Sequence, residues 1–187
     1  MSFARLMYFL LFLIACGSGY YLYEKSTDKS HQIVLDKEHP MFTGIDLNSV
    51  KYTIEGLRDY NIYAVSLENY AQTGDTVFDK PVLTIYQQGN IVEWVVNSDT
   101  AVLDKDHLLT LTGNVVATNH LPDPSFNTLN TDKMLIHLKS KDFSTDKKVI
   151  MVGPQFTNSG NALEGNFSTN VATLFNQVQG KYETLTP

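Results

Sequence analysis

The sequence predicts an all-β fold, an antiparallel roll, sandwich or barrel behind one apolar N-terminal segment. Three observations predict it. Past position 23, strand-like runs arrive every eight to fifteen residues and no helical period interrupts them. In Ser98 to Ala117, Leu109, Leu111, Val115 and Ala117 share one parity while Leu108, Thr110, Thr112 and Val116 take the other, as in a half-buried strand. That segment, a strand, the turn Asp104-Lys105-Asp106 and a second strand, has a counterpart in Thr131 to Phe156, whose charged turn falls at Ser144 to Lys148. Repeated hairpins with one apolar face must stack to bury it.

Taken in order, residues 6–23 carry no charge over eighteen positions, with Arg5 before them and Glu24-Lys25 after. A run of this length suits a single membrane-spanning helix. Arg5 and the terminal amine favour a cytoplasmic N-terminus, and Tyr20, Tyr21 and Tyr23 suit an interfacial aromatic belt. Leu13 to Gly17, around Cys16, competes as a lipoprotein or signal cleavage site. Length favours the uncleaved anchor, because the apolar run continues to Tyr23 where a processed chain would begin a polar tether. Residues 24–40 are a polar linker with room for an edge strand at Ile33-Val34-Leu35, and the β domain occupies 41–187.

Within that domain, Tyr52 to Ile54, Tyr60 to Tyr70 and Thr76 to Tyr86 read as strands punctuated by Glu55-Gly56, Thr73-Gly74-Asp75 and Lys80-Pro81. Ile91 to Asn97 precedes the central hairpin, where Gly113-Asn114 suits the positive φ of a bulge. Residues 119–130 hold two prolines and form a loop, and Val171 to Phe175 and Val178 to Tyr182 close the chain as strands. Asp99 and Asp132 fall at the same place in the two repeats, which predicts a shared turn or strand-end role. On parity the interior draws on Phe78, Leu83, Ile85, Val92, Trp94, Leu109, Leu111, Met134, Ile136, Leu138, Val149, Met151, Ala172, Leu174 and Tyr182. A packed core is the simpler reading of that face; an open roll would leave part of it free for acyl chains.

Charge argues against nucleic acid. From Glu24 onward 13 basic side chains face 20 acidic ones, a formal charge of −7, and Lys139, Lys141, Lys147 and Lys148 read as one solvated hairpin tip. Cys16 is the sole cysteine, so the domain holds no disulfide and no thiolate metal site. His31, His39, His107, His120 and His137 lack metal-ligand spacing, and His137 points away from the apolar face. Gly-rich turns lead into strands rather than helix N-termini, which excludes phosphate loops. Glu68, Glu93 and Glu164 could supply the paired carboxylates of a glycosidase, but they read as scattered surface acids. No metal, cofactor or catalytic group is expected.

An ordered set of segments nevertheless stands out: Glu55-Gly56, Pro81 to Thr84, Trp94, Ser98-Asp99 with Ala101 and Leu103, Leu109 to Leu111, Gly113 to Val115, Thr131-Asp132, Gly153, Phe156 to Ser159 and Gly165-Asn166. Together with the anchor and linker, this set resembles the LptC family of lipopolysaccharide export proteins. The resemblance runs from Arg5 to Glu183 and implies a single-pass inner-membrane protein of Gram-negative bacteria, with a V-shaped antiparallel β-jellyroll in the periplasm. It implies no enzymatic activity. The anchor and the N-terminal edge of the roll would engage the LptB2FG ABC transporter, and the C-terminal edge would pass lipopolysaccharide to LptA. Lipid-contacting positions map onto Phe78, Ala172 and Tyr182, and Ile85, Leu109, Leu111 and Ile136 join them on the parity reading. Gly56 and Gly153 match glycines that matter for family function or assembly. The acidic domain makes acyl chains, rather than phosphates, the part of the lipid to be gripped. The alternative is a cleaved periplasmic lipoprotein of similar β fold acting as carrier or scaffold.

Overall fold

The computed structural model describes residues 39–182. The predicted anchor over 1–23, its cleavage alternative at Cys16 and nearly all of the linker lie outside them. Among the described residues there is no helix, and fourteen strands form one antiparallel sheet. They are β1 (Phe42–Tyr52), β2 (Arg58–Tyr70), β3 (Asp75–Asp79), β4 (Val82–Gln87), β5 (Ile91–Asn97), β6 (Thr100–Leu103) and β7 (Leu108–Asn119), followed by β8 (Thr128–His137), β9 (Asp142–Thr145), β10 (Val149–Val152), β11 (Phe156–Gly160), β12 (Ala162–Asn166), β13 (Val171–Phe175) and β14 (Gln179–Tyr182).

The register shows how one sheet makes two leaves. β2 pairs with β4 through Tyr60 to Tyr63 and with β3 through Ser66 to Tyr70. β7 likewise pairs with β6 up to Thr112 and with β5 only at Val116 to Asn119, while β8 gives Thr128 to Thr131 to β10 and Leu135 to His137 to β9. One leaf therefore runs β1-β2-β3-β6-β7-β8-β9-β12-β13, and the other β1-β2-β4-β5-β7-β8-β10-β11-β14. β1, β2, β7 and β8 cross from leaf to leaf at a common crease.

Local backbone chemistry makes that crease. Asp46 (φ 53°), Lys80 (φ 46°), Gly113 (φ 80°) and Asn114 (φ 46°) all lie along it in left-handed conformations. Glycine, Asn and Asp adopt that region most readily. The Gly113-Asn114 pair forms a bulge between Thr112↔Lys133 and Val115↔Thr131. The inward parity of Leu109, Leu111, Val115 and Ala117 continues through it in β7, all four fully buried, while the one extra residue shifts the inward parity of the facing β8 from Leu129 and Thr131 to Met134 and Ile136. Asp99 secures the bend: its amide donates to the Gly113 carbonyl (2.9 Å), and its Oδ2 accepts from Asn114 Nδ2 (2.8 Å).

Side chains of both leaves meet in a single core that includes Phe78, Leu83, Ile85, Trp94, Leu109, Leu111, Met134, Ile136 and Leu163. Four aromatic rings bridge it: Phe126–Trp94 at 5.4 Å between centroids, Trp94–Phe167 at 5.1 Å and Phe167–Phe143 at 4.3 Å. Such tilted pairs contribute about 0.5–1.5 kcal/mol each beyond their buried area.

The structure corrects several expectations. Tyr52 to Ile54 is not a strand of its own; Tyr52 ends the eleven-residue β1, which is mostly exposed and so shows no alternation. Thr131 to Phe156 is not one hairpin, since Leu138 to Lys141 make a turn before β9 and a second link joins β9 to β10. Lys139 and Lys141 thus lie in a different turn from Lys147 and Lys148. Asp132 lies inside β8 rather than at a strand end, and shares with Asp99 its position at the crease. Phe126, within the proline-rich loop, is a core residue, and β11 and β12 were not legible as strands. Tyr182 is 74% exposed rather than interior, and Val92 is only partly buried.

A Cβ on Gly113 would sit 2.5 Å from Asp99 Oδ2, at a φ that L-residues rarely adopt. Gly113→Ala is expected to destabilise the fold by about 2 kcal/mol, read as a lower urea midpoint at unchanged slope.

Candidate functional site

Five of the expected lipid-contacting residues come together. Phe78 on β3, Ile85 on β4, Leu109 and Leu111 on β7, and Ile136 on β8 belong to the common core, none more than 4% exposed. Ala172 on β13 is partly buried against that core. Tyr182, the last described residue, lies on β14, where its ring stands 6.3 Å from Phe156. The seven residues therefore divide into a closed interior and a C-terminal edge.

That edge explains Gly153. Its amide donates to the Phe156 carbonyl (2.9 Å), and an added Cβ would lie 2.2 Å from the Phe156 ring. Any side chain at 153 displaces Phe156, and with it the packing beneath β14. Gly56 does something simpler: with φ 79° and open space around it, it closes the β1–β2 turn, where its amide donates to the Thr53 carbonyl (3.0 Å).

Among the described residues, the strands at both ends of the sheet each leave one edge unpaired. β1 has β2 as its one partner among the described residues, and it presents Phe42, Ile45 and Tyr52 to solvent. β13 and β14 close the other end, with Val171, Phe175 and Tyr182 exposed. Open backbone flanked by apolar side chains is a template for pairing with another sheet.

The rims of the two leaves, opposite the crease, are tied by polar groups that the sequence did not reveal. Asn170, in the β12–β13 turn of one leaf with φ 55°, accepts from Trp94 Nε1 (3.0 Å) and Asn119 Nδ2 (3.2 Å) of the other. Its own Nδ2 donates to Glu93 Oε1 (2.9 Å). Glu93 is 3% exposed, so it is a buried acid and not a surface one as its neighbours in sequence suggest. Beside this cluster, Lys141 Nζ in the β8–β9 turn lies 2.8 Å from Asp59 Oδ1 at the start of β2. No local motif announces these pairs, because Glu93 and Asn170 are 77 positions apart.

The two turns of the first leaf are fastened to each other as well. Asn166 Nδ2 donates to the Ser140 carbonyl (2.8 Å) and to Asp142 Oδ1 (2.7 Å), and the Phe167 amide donates to the Lys141 carbonyl (3.0 Å). Outside them lies a recess of about 480 Å³ of mixed polar and apolar lining, which includes His137, Asp142, Phe143, Glu164, Asn166 and Val171. His137 is exposed there, as its parity predicts, and Glu164 and Glu68 are exposed acids. Among the described residues no group of acidic, His or Cys side chains is placed to hold a metal ion.

The hydrogen bond from Asn166, with a second from Ser140, holds the Asp142 carboxyl below its ordinary range. A carboxylate whose folded pKa is depressed contributes stability above its unfolded pKa and loses it as pH falls through the folded one. Asn166→Ala is therefore expected to raise the Asp142 pKa toward the ordinary carboxylate value and, by removing stability present at neutral pH, to make the β8–β9 turn less dependent on pH in the acid range. Carboxyl-detected NMR titration checks both.

Comparison with known proteins follows the same outline. The family model "Lipopolysaccharide-assembly, LptC-related" matches residues 8–183. Lipopolysaccharide export system protein LptC of Escherichia coli K12 is 30% identical over 156 residues, covering 83% of this chain and 82% of that protein. LptC of Haemophilus influenzae is 27% identical over 188 residues, 91% of this chain and 90% of that one. Among solved structures, LptH, the LptA-homologous periplasmic component of the Pseudomonas aeruginosa lipopolysaccharide transport device, aligns with a TM-score of 0.47 at 10% identity, over 82% of this chain and 99% of that chain. With a crossed two-leaf roll, two open edges and a family match over nearly its whole length, the chain belongs to the LptC-related lipopolysaccharide-assembly family.

Proposed function

We propose that the chain is a non-enzymatic carrier in lipopolysaccharide transport, held in the inner membrane by residues 1–23, with its β-jellyroll in the periplasm. The role in lipopolysaccharide transport follows from family membership. In this reading the anchor and the β1 edge engage the LptB2FG transporter, and the β13–β14 edge delivers the lipid to LptA. The observation that carries it is the pair of unpaired strand edges at opposite ends of one apolar roll. A roll of this kind can be extended at both ends by other rolls, so that apolar interiors join.

Energetics favour the acyl chains as the gripped part. Each buried CH₂ contributes about 0.8 kcal/mol, so several chains of a lipid supply ample driving force without phosphate contacts. An acidic domain offers little to phosphates, and binding is expected to change little with salt. Directionality comes from ATP hydrolysis by the transporter, which leaves this chain needing no catalytic group.

A photo-crosslinking residue at Phe78, in cells, is expected to form adducts with lipopolysaccharide, while the same residue at outward-facing His137 is expected to form none. A folded, membrane-inserted protein with no adduct at Phe78 would return the interior to an ordinary core and favour a scaffold role. Docking has its own check: Tyr182→Asp, on the exposed face of β14, is expected to lower co-purification with LptA several-fold while leaving association with the transporter intact.

A further inference from the structure

Phe78, Ile85, Leu109, Leu111 and Ile136 pack on one another with almost no exposure, so an acyl chain cannot reach them in the conformation described. Something must part. The crease cannot part, because β1, β2, β7 and β8 run through it as continuous backbone. The opposite side can, because there the leaves end in turns and, among the described residues, side chains join them.

We propose that Asn170 with its partners Glu93, Trp94 and Asn119, together with the Lys141–Asp59 ion pair, forms a releasable clasp, and that acyl chains enter the interior sideways by opening it. The inference rests on the lipid-carrier reading of the interior. Its geometry is specific. Asn170 alone gathers three hydrogen bonds from the opposite leaf, and Lys141 reaches the same leaf from the adjoining turn. Both turns are fastened to each other by Asn166 and by the Phe167 amide, so they move as one lip. Phe167 rides on that lip, and lifting it uncovers the Trp94 ring that it packs against. Opening thus replaces aromatic and polar contacts at the rim by contacts to the lipid, without breaking any strand pairing across the crease.

An interior reached only through an opened state takes up ligand in proportion to that state's population. The test uses the full chain in detergent micelles, carrying Cys16→Ser, Asp59→Cys and Lys141→Cys, a photo-crosslinking residue at Phe78, and purified lipopolysaccharide as probe. A short bismaleimide containing a reducible disulfide bridges the two lips. Adducts at Phe78 are expected to fall about tenfold in the bridged protein and to return on reduction of the linker. Bridged protein that still forms adducts within about twofold of the unbridged level overturns lateral entry and leaves the lipid-carrier reading standing. Unbridged protein that forms none overturns the carrier reading, and the clasp's role with it.

Discussion

The structure depends on four long strands that each belong to two leaves. A conventional sandwich joins two separate sheets by loops, and the packing of their faces alone decides how they sit. Here β1, β2, β7 and β8 are covalent members of both leaves, so the angle between the leaves is set by backbone at the crease. Left-handed residues at Asp46, Gly113 and Asn114 provide the bend, and Asp99 ties it with two hydrogen bonds. Everything inward of the crease, including the aromatic series from Phe126 to Phe143, has its separation fixed by that hinge line.

The sequence was most legible where a strand has one buried face. Leu109, Leu111, Val115 and Ala117 announce their side of β7, and the one-residue bulge leaves that spacing intact because the change of parity falls on the facing β8. The shared place of Asp99 and Asp132 was visible too, though its meaning was not: both mark the crease, which is a property of the whole sheet rather than of either hairpin. β1 was missed for a physical reason. An edge strand that is nearly all exposed, with Leu47 partly buried against the core, has no alternation to read, and its identity comes from pairing with β2.

The candidate site was legible in its apolar half and hidden in its polar half. Periodicity placed Phe78, Ile85 and Ile136 on inward faces, but could not say that they share one closed interior. Glu93 next to Trp94 reads as an unremarkable surface acid until Asn170 arrives from the far end of the chain to satisfy it. Buried polar groups of this kind are specified by tertiary proximity, and a single sequence carries no spacing rule for them.

That distance has a bearing on assembly. Neighbouring strands such as β1 and β2, β4 and β5, and β12 and β13 close short loops and can pair as they leave the ribosome, whereas Asn170 must be made before the rims of the leaves can join. The nascent chain can therefore pair most strands of both leaves before the turn that ties their rims is made, and β13 and β14 follow that turn. Until that moment Trp94 and its neighbours are apolar surface facing water, so the interval between synthesis of β5 and of the β12–β13 turn is when the young protein is most exposed to chaperones and to misassociation.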